Sequence, residues 1–143
     1  MPLSDAHLAW ISDRHQAVLV TLRADGSPQT SNLSYSLHEG RARVSVTADR
    51  AKTHNLRRDP RGVLHVLGDS FWVYASVRVE ATLGPVTTTP GDEPGQELLA
   101  VYEQITGSAH PDPQEFYEAM VTERRLVLSL LPLSAVAQGL GDA

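Results

Sequence analysis

Cysteine is absent from the 143 residues, and lysine occurs only once, at Lys52. Without cysteine there is no disulfide, no thiolate metal ligand and no thiol nucleophile. Long apolar runs are missing too. The longest apolar segment, Leu126 to Leu133, is strand-sized and well short of the ~20 residues of a membrane helix. Neither Gly-x-Gly-x-x-Gly nor a Walker loop occurs, and no Gly-x-Ser-x-Gly elbow presents a serine. The six histidines (7, 15, 38, 54, 65 and 110) are scattered, with no pair at helical metal spacing. Asp5, His7, Asp13, Arg14 and His15 interrupt the first twenty residues, so no signal peptide and a cytoplasmic location are expected. A chain of this length can bury roughly two-thirds of its unfolded surface, so residues 1–143 are expected to form one domain.

The charges are unevenly placed. Twelve Lys+Arg stand against 17 Asp+Glu, for a net charge of -5. Nine acids fall between Glu80 and Glu123, with no lysine or arginine among them. Conversely, Arg50, Lys52, Arg57, Arg58 and Arg61 lie within one twelve-residue window. An acidic protein repels nucleic acid unless its charges are segregated, as they are here. No aromatic interleaves with these cations to stack on bases, so no nucleic-acid partner is expected.

The pattern predicts a helix over 5–12, capped by Ser4. Strands are expected over 15–23, 29–37, 41–47, 62–67, 71–86 and 124–131, the last interrupted at Pro132. Asp25-Gly26 and His38-Glu39-Gly40 provide turns. Asp49 is expected to cap a helix over 50–58 that must end before Pro60. Acidic helices are expected over 96–106 and after Asp112, where Pro113 suits the first helical position. The tail carries Gly139, Gly141 and Asp142. Tight early turns imply antiparallel pairing. The resulting fold is mainly β (α+β), a six-stranded antiparallel split β-barrel with short peripheral helices.

The basic window admits two readings. A strand ends, a helix begins, and cations gather where its free N–H groups and positive dipole end would attract a phosphate. Arg50 adds a planar donor fork, Lys52 a point charge, and Thr53 and Asn55 neutral donors. Alternatively the helix is a solvated arginine-rich surface, since Arg50, His54 and Arg57 share one stripe. Trp72 and Tyr74, two apart on an expected strand, either wall a flat ring or fill core or interface. Gln29, Ser31 and Asn32 either meet a polar ring edge or line a wet edge strand. One of Arg124 and Arg125 is expected to bridge to the acidic region.

The segment Thr47-Ala-Asp-Arg-Ala-Lys-Thr-His-Asn-Leu-Arg-Arg-Asp-Pro-Arg61 resembles the signature of the pyridoxamine 5'-phosphate oxidase-like split barrels. Its Arg-Ala-Lys-Thr-x-Asn-Leu core is similar to the actinobacterial branch that uses the deazaflavin coenzyme F-420. The likeness extends to Asp25–Gln29, Ser31-Asn32, the Trp72/Tyr74 stretch and Met120–Arg125. It implies a homodimer with a cofactor in each cleft between subunits. Arg50 and Lys52, with Ala51 between them, match the positions that hold the cofactor phosphate. Thr53 and Asn55 match its neighbours, and Gln29, Ser31, Asn32, Val46 and Thr47 match strand positions that line the ring. Arg57, Arg58 and Arg61 fall near the anionic tail. His54 stands where relatives can carry arginine, which lowers the permanent charge. The chain ends at Ala143 without the Arg-x-Leu segment of true pyridoxamine phosphate oxidases, so that founding activity is not expected.

The resemblance implies an oxidoreductase in which reduced F-420 passes a hydride to a small conjugated or heteroaromatic acceptor. This suits a chain with no evident nucleophile, because such a cofactor carries the chemistry. Two rivals stand beside it: a flavin mononucleotide (FMN)-dependent oxidase or reductase on the same barrel, and a non-catalytic cofactor- or haem-binding protein.

Overall fold

A computed structural model describes residues 2–140. Gly141 and Asp142 of the tail lie outside the described residues. In chain order the elements are α1 (Asp5–Ser12), β1 (Gln16–Leu22), β2 (Pro28–Ser34), β3 (Ser36–His38), β4 (Arg41–Thr47) and α2 (Ala51–Arg58). They continue with β5 (Arg61–Leu67), β6 (Tyr74–Leu83), α3 (Glu93–Thr106), α4 (Pro113–Thr122) and β7 (Arg125–Gln138). One antiparallel sheet runs β2-β1-β5-β6-β7-β4-β3 and curls into a half-barrel.

The sheet has seven strands, not six, because the expected 29–37 strand is cut at Tyr35. This side chain is fully buried, and its hydroxyl donates to the Ile11 carbonyl at 2.6 Å. Burial pushes its pKa above the ordinary phenol value. The chain therefore turns a corner at Tyr35 and leaves β1 to pair Ser36–His38 with β4. Two other expected boundaries move. β7 does not stop at Pro132 but continues to Gln138. The missing proline N–H is absorbed by a register shift: Arg78 faces Ser134 while Val79 faces Pro132, leaving Leu133 unmatched. α3 begins at Glu93, before the expected 96, because Asp92 caps it by accepting from the Gly95 N–H at 2.9 Å.

Strand alternation sorts the side chains onto two faces. Leu19, Val44, Val46, Leu64, Val66, Val77, Leu126 and Leu128 fill the inside, and Leu56 of α2 packs against them. On the outer side, α3 and α4 cover Val127 with Leu98, Val101 and Phe116. The outer face of β1 and β5 instead presents Val18, Val20, Val63 and Leu67 without a helix over it among the described residues.

The split lies beside β4. β3 pairs only with Arg41, Ala42 and Arg43, so one backbone edge of 44–47 has no strand partner among the described residues.

Candidate functional site

β4 ends at Thr47, and the chain reaches α2 through Ala48, Asp49 and Arg50. Arg50 takes the N-cap position with φ -74° and ψ 150°, and no side chain caps the helix. The expected cap, Asp49, is used elsewhere: its carboxylate accepts from Arg124 Nη1 at 3.1 Å. Arg124 holds φ 53°, the left-handed region, at the turn into β7. The first amides of α2, at Ala51 and Lys52, are thus left without a partner among the described residues.

Lys52 is partly buried at this open end. Its pKa is pushed down, first by loss of water and then by the positive charges of Arg50 and Arg125. Arg125 stands opposite Thr47 in the β4–β7 ladder. Its Nε donates to Glu123 Oε1 at 2.8 Å, which is the bridge to the acidic region that the sequence led one to expect. Its Nη1 donates to Ser45 Oγ at 3.1 Å. Arg50, Lys52 and Arg125 are therefore three cations gathered together; Arg125 keeps Glu123 as its partner, while Arg50 and Lys52 have no acid paired with them among the described residues. Arg125 was missed as a site residue because it is 73 positions from Lys52; only the strand pairing brings it there.

Other expected ligands hold the scaffold. Thr53 is buried, and its Oγ1 donates to the Thr47 carbonyl at 2.8 Å, locking α2 to β4. Asn55 Nδ2 donates to Thr21 Oγ1 at 3.0 Å and Gln29 Oε1 at 2.9 Å. Its Oδ1 accepts from Arg58 Nη2, which also reaches the Leu22 carbonyl at 2.8 Å. Asn55, Gln29 and Arg58 thus brace α2 against β1 and β2. Asn55→Ala strands two polar partners and is expected to cost about 1–2 kcal/mol in denaturant unfolding. Arg61 grips Asp59 through two bonds, at 3.0 and 2.8 Å, and draws that carboxyl down to about 2. Arg57 is exposed with no ion pair among the described residues. So Arg50, Lys52 and Arg57 stay available, while Arg58 and Arg61 are engaged.

Val46 points into the core, so only its backbone reaches the split. Ser31 faces inward beside Leu19, and its Oγ is buried with no partner. Asn32 points outward with Val18.

With this geometry in view, comparison with known proteins is decisive on one point. Residues 3–128 match the pyridoxamine 5'-phosphate oxidase family. The chain belongs to that family. A reduced-F-420-dependent biliverdin reductase of Mycobacterium tuberculosis (strain CDC 1551 / Oshkosh) is 37% identical over 73 residues. That match covers 50% of this chain and 53% of the relative, so the two correspond over about half their length. Among solved structures, an F-420 reductase superposes with TM-score 0.66 at 20% identity, over 89% of this chain and 94% of that one. A conserved hypothetical protein of Mycobacterium tuberculosis gives TM-score 0.72 at 21% identity, over 97% and 86%.

One expected feature of this family member is corrected by its structure. Trp72 and Tyr74 do not share a strand face, because β6 starts only at Tyr74. Gly68 and Val73 close the preceding loop through a 2.8 Å backbone bond. A Cβ at position 68 would meet the Val73 carbonyl at 2.5 Å, so the turn requires glycine. Trp72 falls inside that loop, 67% exposed, with its ring 4.8 Å from Phe71. Tyr74 instead lies against His65, with ring centroids 5.1 Å apart. No helix is long and apolar enough to cross a membrane among the described residues.

Proposed function

We propose that the chain is an oxidoreductase that uses reduced coenzyme F-420 on a small conjugated or heteroaromatic acceptor, and that it works as a homodimer. The observation that carries this reading is the pair Arg50 and Lys52, without an acid partner among the described residues, crowded by Arg125 beside the open amides of α2. Like charges at a helix N-terminus cost free energy until an anion joins them, so the site fits a phosphate-bearing cofactor. The orphan Ser31 hydroxyl fits a polar ring edge. The partial likeness to the biliverdin reductase supports F-420 as that cofactor. When bound, the coenzyme supplies a hydride, which with one proton reduces a double bond of the acceptor by two electrons. The chain's own residues bind and orient: Arg50, Lys52 and the amides of 51 and 52 hold the phosphate, exposed Arg57 faces the anionic tail, and the unpaired edge of 44–47 meets the ring.

Side-by-side titration with F-420 and FMN tests the cofactor. F-420 is expected to bind tighter; tighter FMN binding would overturn the assignment in favour of the flavin enzyme. Turnover of reduced F-420 then separates an enzyme from a carrier.

The depressed Lys52 pKa also gives a pH dependence. The ammonium is charged below its lowered value, and a bound phosphate restores its pKa upward. Affinity is therefore full at neutral pH and declines as pH rises through the lowered pKa toward the usual lysine value of about 10.4. Dissociation constants from about pH 7 to about pH 10 should rise in the native protein. They should rise less in Lys52→Ala, which has no ammonium to lose.

A further inference from the structure

A cavity lies beside the proposed phosphate site and shares Arg125 with it. It sits between α3, α4 and the outer side of β4 and β7, with a volume of about 290 Å³. Leu98, Val101 and Ile105 of α3 and Phe116 and Met120 of α4 make its walls apolar. Ser45 and Arg125 also line it. The volume suits a flat bicyclic body, and such apolar walls with one or two polar groups are the usual make-up of a small-molecule site.

Arg125 gives the cavity its chemistry. Its side chain is only 27% exposed. Nε is taken by Glu123 and Nη1 by Ser45, but Nη2 has no partner among the described residues. A guanidinium lining a mainly apolar cavity with one N–H unspent is a free donor for an acidic group. The strand pairing that sets Arg125 opposite Thr47 also puts this cavity next to the cofactor phosphate site.

We propose that this cavity seats the acceptor and that Arg125 Nη2 binds an acidic group on it. The substrates are then flat apolar molecules that carry a carboxylate, and neutral analogues are disfavoured. This rests on the reductase reading above, which it narrows to a substrate class.

The test uses the full chain, with and without oxidised F-420, and two probes of one shape: 2-naphthoate and its neutral counterpart 2-naphthamide. Amide-resolved NMR titration should show naphthoate shifting residues of α3 and α4. It should bind about 10-fold tighter than the amide, as one charge-assisted hydrogen bond provides. Arg125→Gln should erase that preference. Glu123→Gln, an exposed change that frees Arg125 from its own acid, should strengthen naphthoate binding. Equal affinity for the two probes, shifts confined to other surfaces, or a preference that survives Arg125→Gln would overturn the proposal. So would expulsion of naphthoate by F-420, which would make the cavity the ring's own seat. Failure of F-420 to bind while naphthoate still does would defeat the reductase reading and leave the acid site standing.

Discussion

Leu67→Glu should convert the proposed homodimer into a monomer. Leu67 is on the outer face of β5 and is 50% exposed in the single chain, as is Val136 of β7 at 59%. Val18, Val20 and Val63 continue this apolar surface, with no helix over it among the described residues. An apolar sheet face of this kind is a natural contact for a second copy. Because Leu67 is already half in water, a glutamate there costs the isolated chain little. Buried between two copies it leaves an unpaired charge, worth about 3 kcal/mol or more, or a roughly 100-fold weaker dimer. Sedimentation over a range of concentrations reads the result directly. A variant that stays dimeric would place the interface elsewhere, and a native protein that is already monomeric would overturn the homodimer. If the cofactor lies between subunits, F-420 binding should fall with the dimer.

Lys52→Ala has the second large effect, and its two halves run in opposite directions. F-420 affinity should drop by about 1.5–3 kcal/mol, or roughly 10- to 100-fold, through loss of one charged hydrogen bond. Stability of the cofactor-free protein should hold or rise, because Lys52 is desolvated and repelled by Arg50 and Arg125. A residue that serves the fold would show the reverse. Isothermal titration and a thermal melt of the same preparation supply both readings. Unchanged affinity would place the phosphate elsewhere.

What could be seen in the sequence was mostly local. The alternation of Ala42, Val44 and Val46 marks β4, and Asp112-Pro113 marks the start of α4. Where the reading failed, a distant partner had intervened. Tyr35 breaks a regular strand because Ile11, 24 positions earlier, accepts its hydroxyl. Asp49 loses its capping role to Arg124, 75 positions later. Trp72 leaves β6 because Gly68 and Val73 close a wider loop than Gly68-Asp69-Ser70 alone suggests. The site divides the same way. The grouping of Arg50 and Lys52 at the start of α2 was legible because helix, turn and charge are all local. Thr53 and Asn55 read as neutral donors, and the resemblance places Arg58 near the tail; their bonds within the chain depend on Thr47, Thr21, Gln29 and Leu22, which the local pattern does not show. Arg125 needed the β4–β7 pairing to be seen at all.

That pairing has a consequence for how the molecule is made. Residues 42–47 wait for residues 125–130 before β4 gains its long partner, and β6 waits for the same strand. During synthesis most of the chain must emerge before the barrel can close, and such distant pairings are slow to form. Arg125's share of the repulsion on Lys52, beyond that of neighbouring Arg50, is absent until β7 arrives. Completion of the fold would then also complete the proposed anion site, so a phosphate-bearing ligand should favour the last step of folding rather than the first.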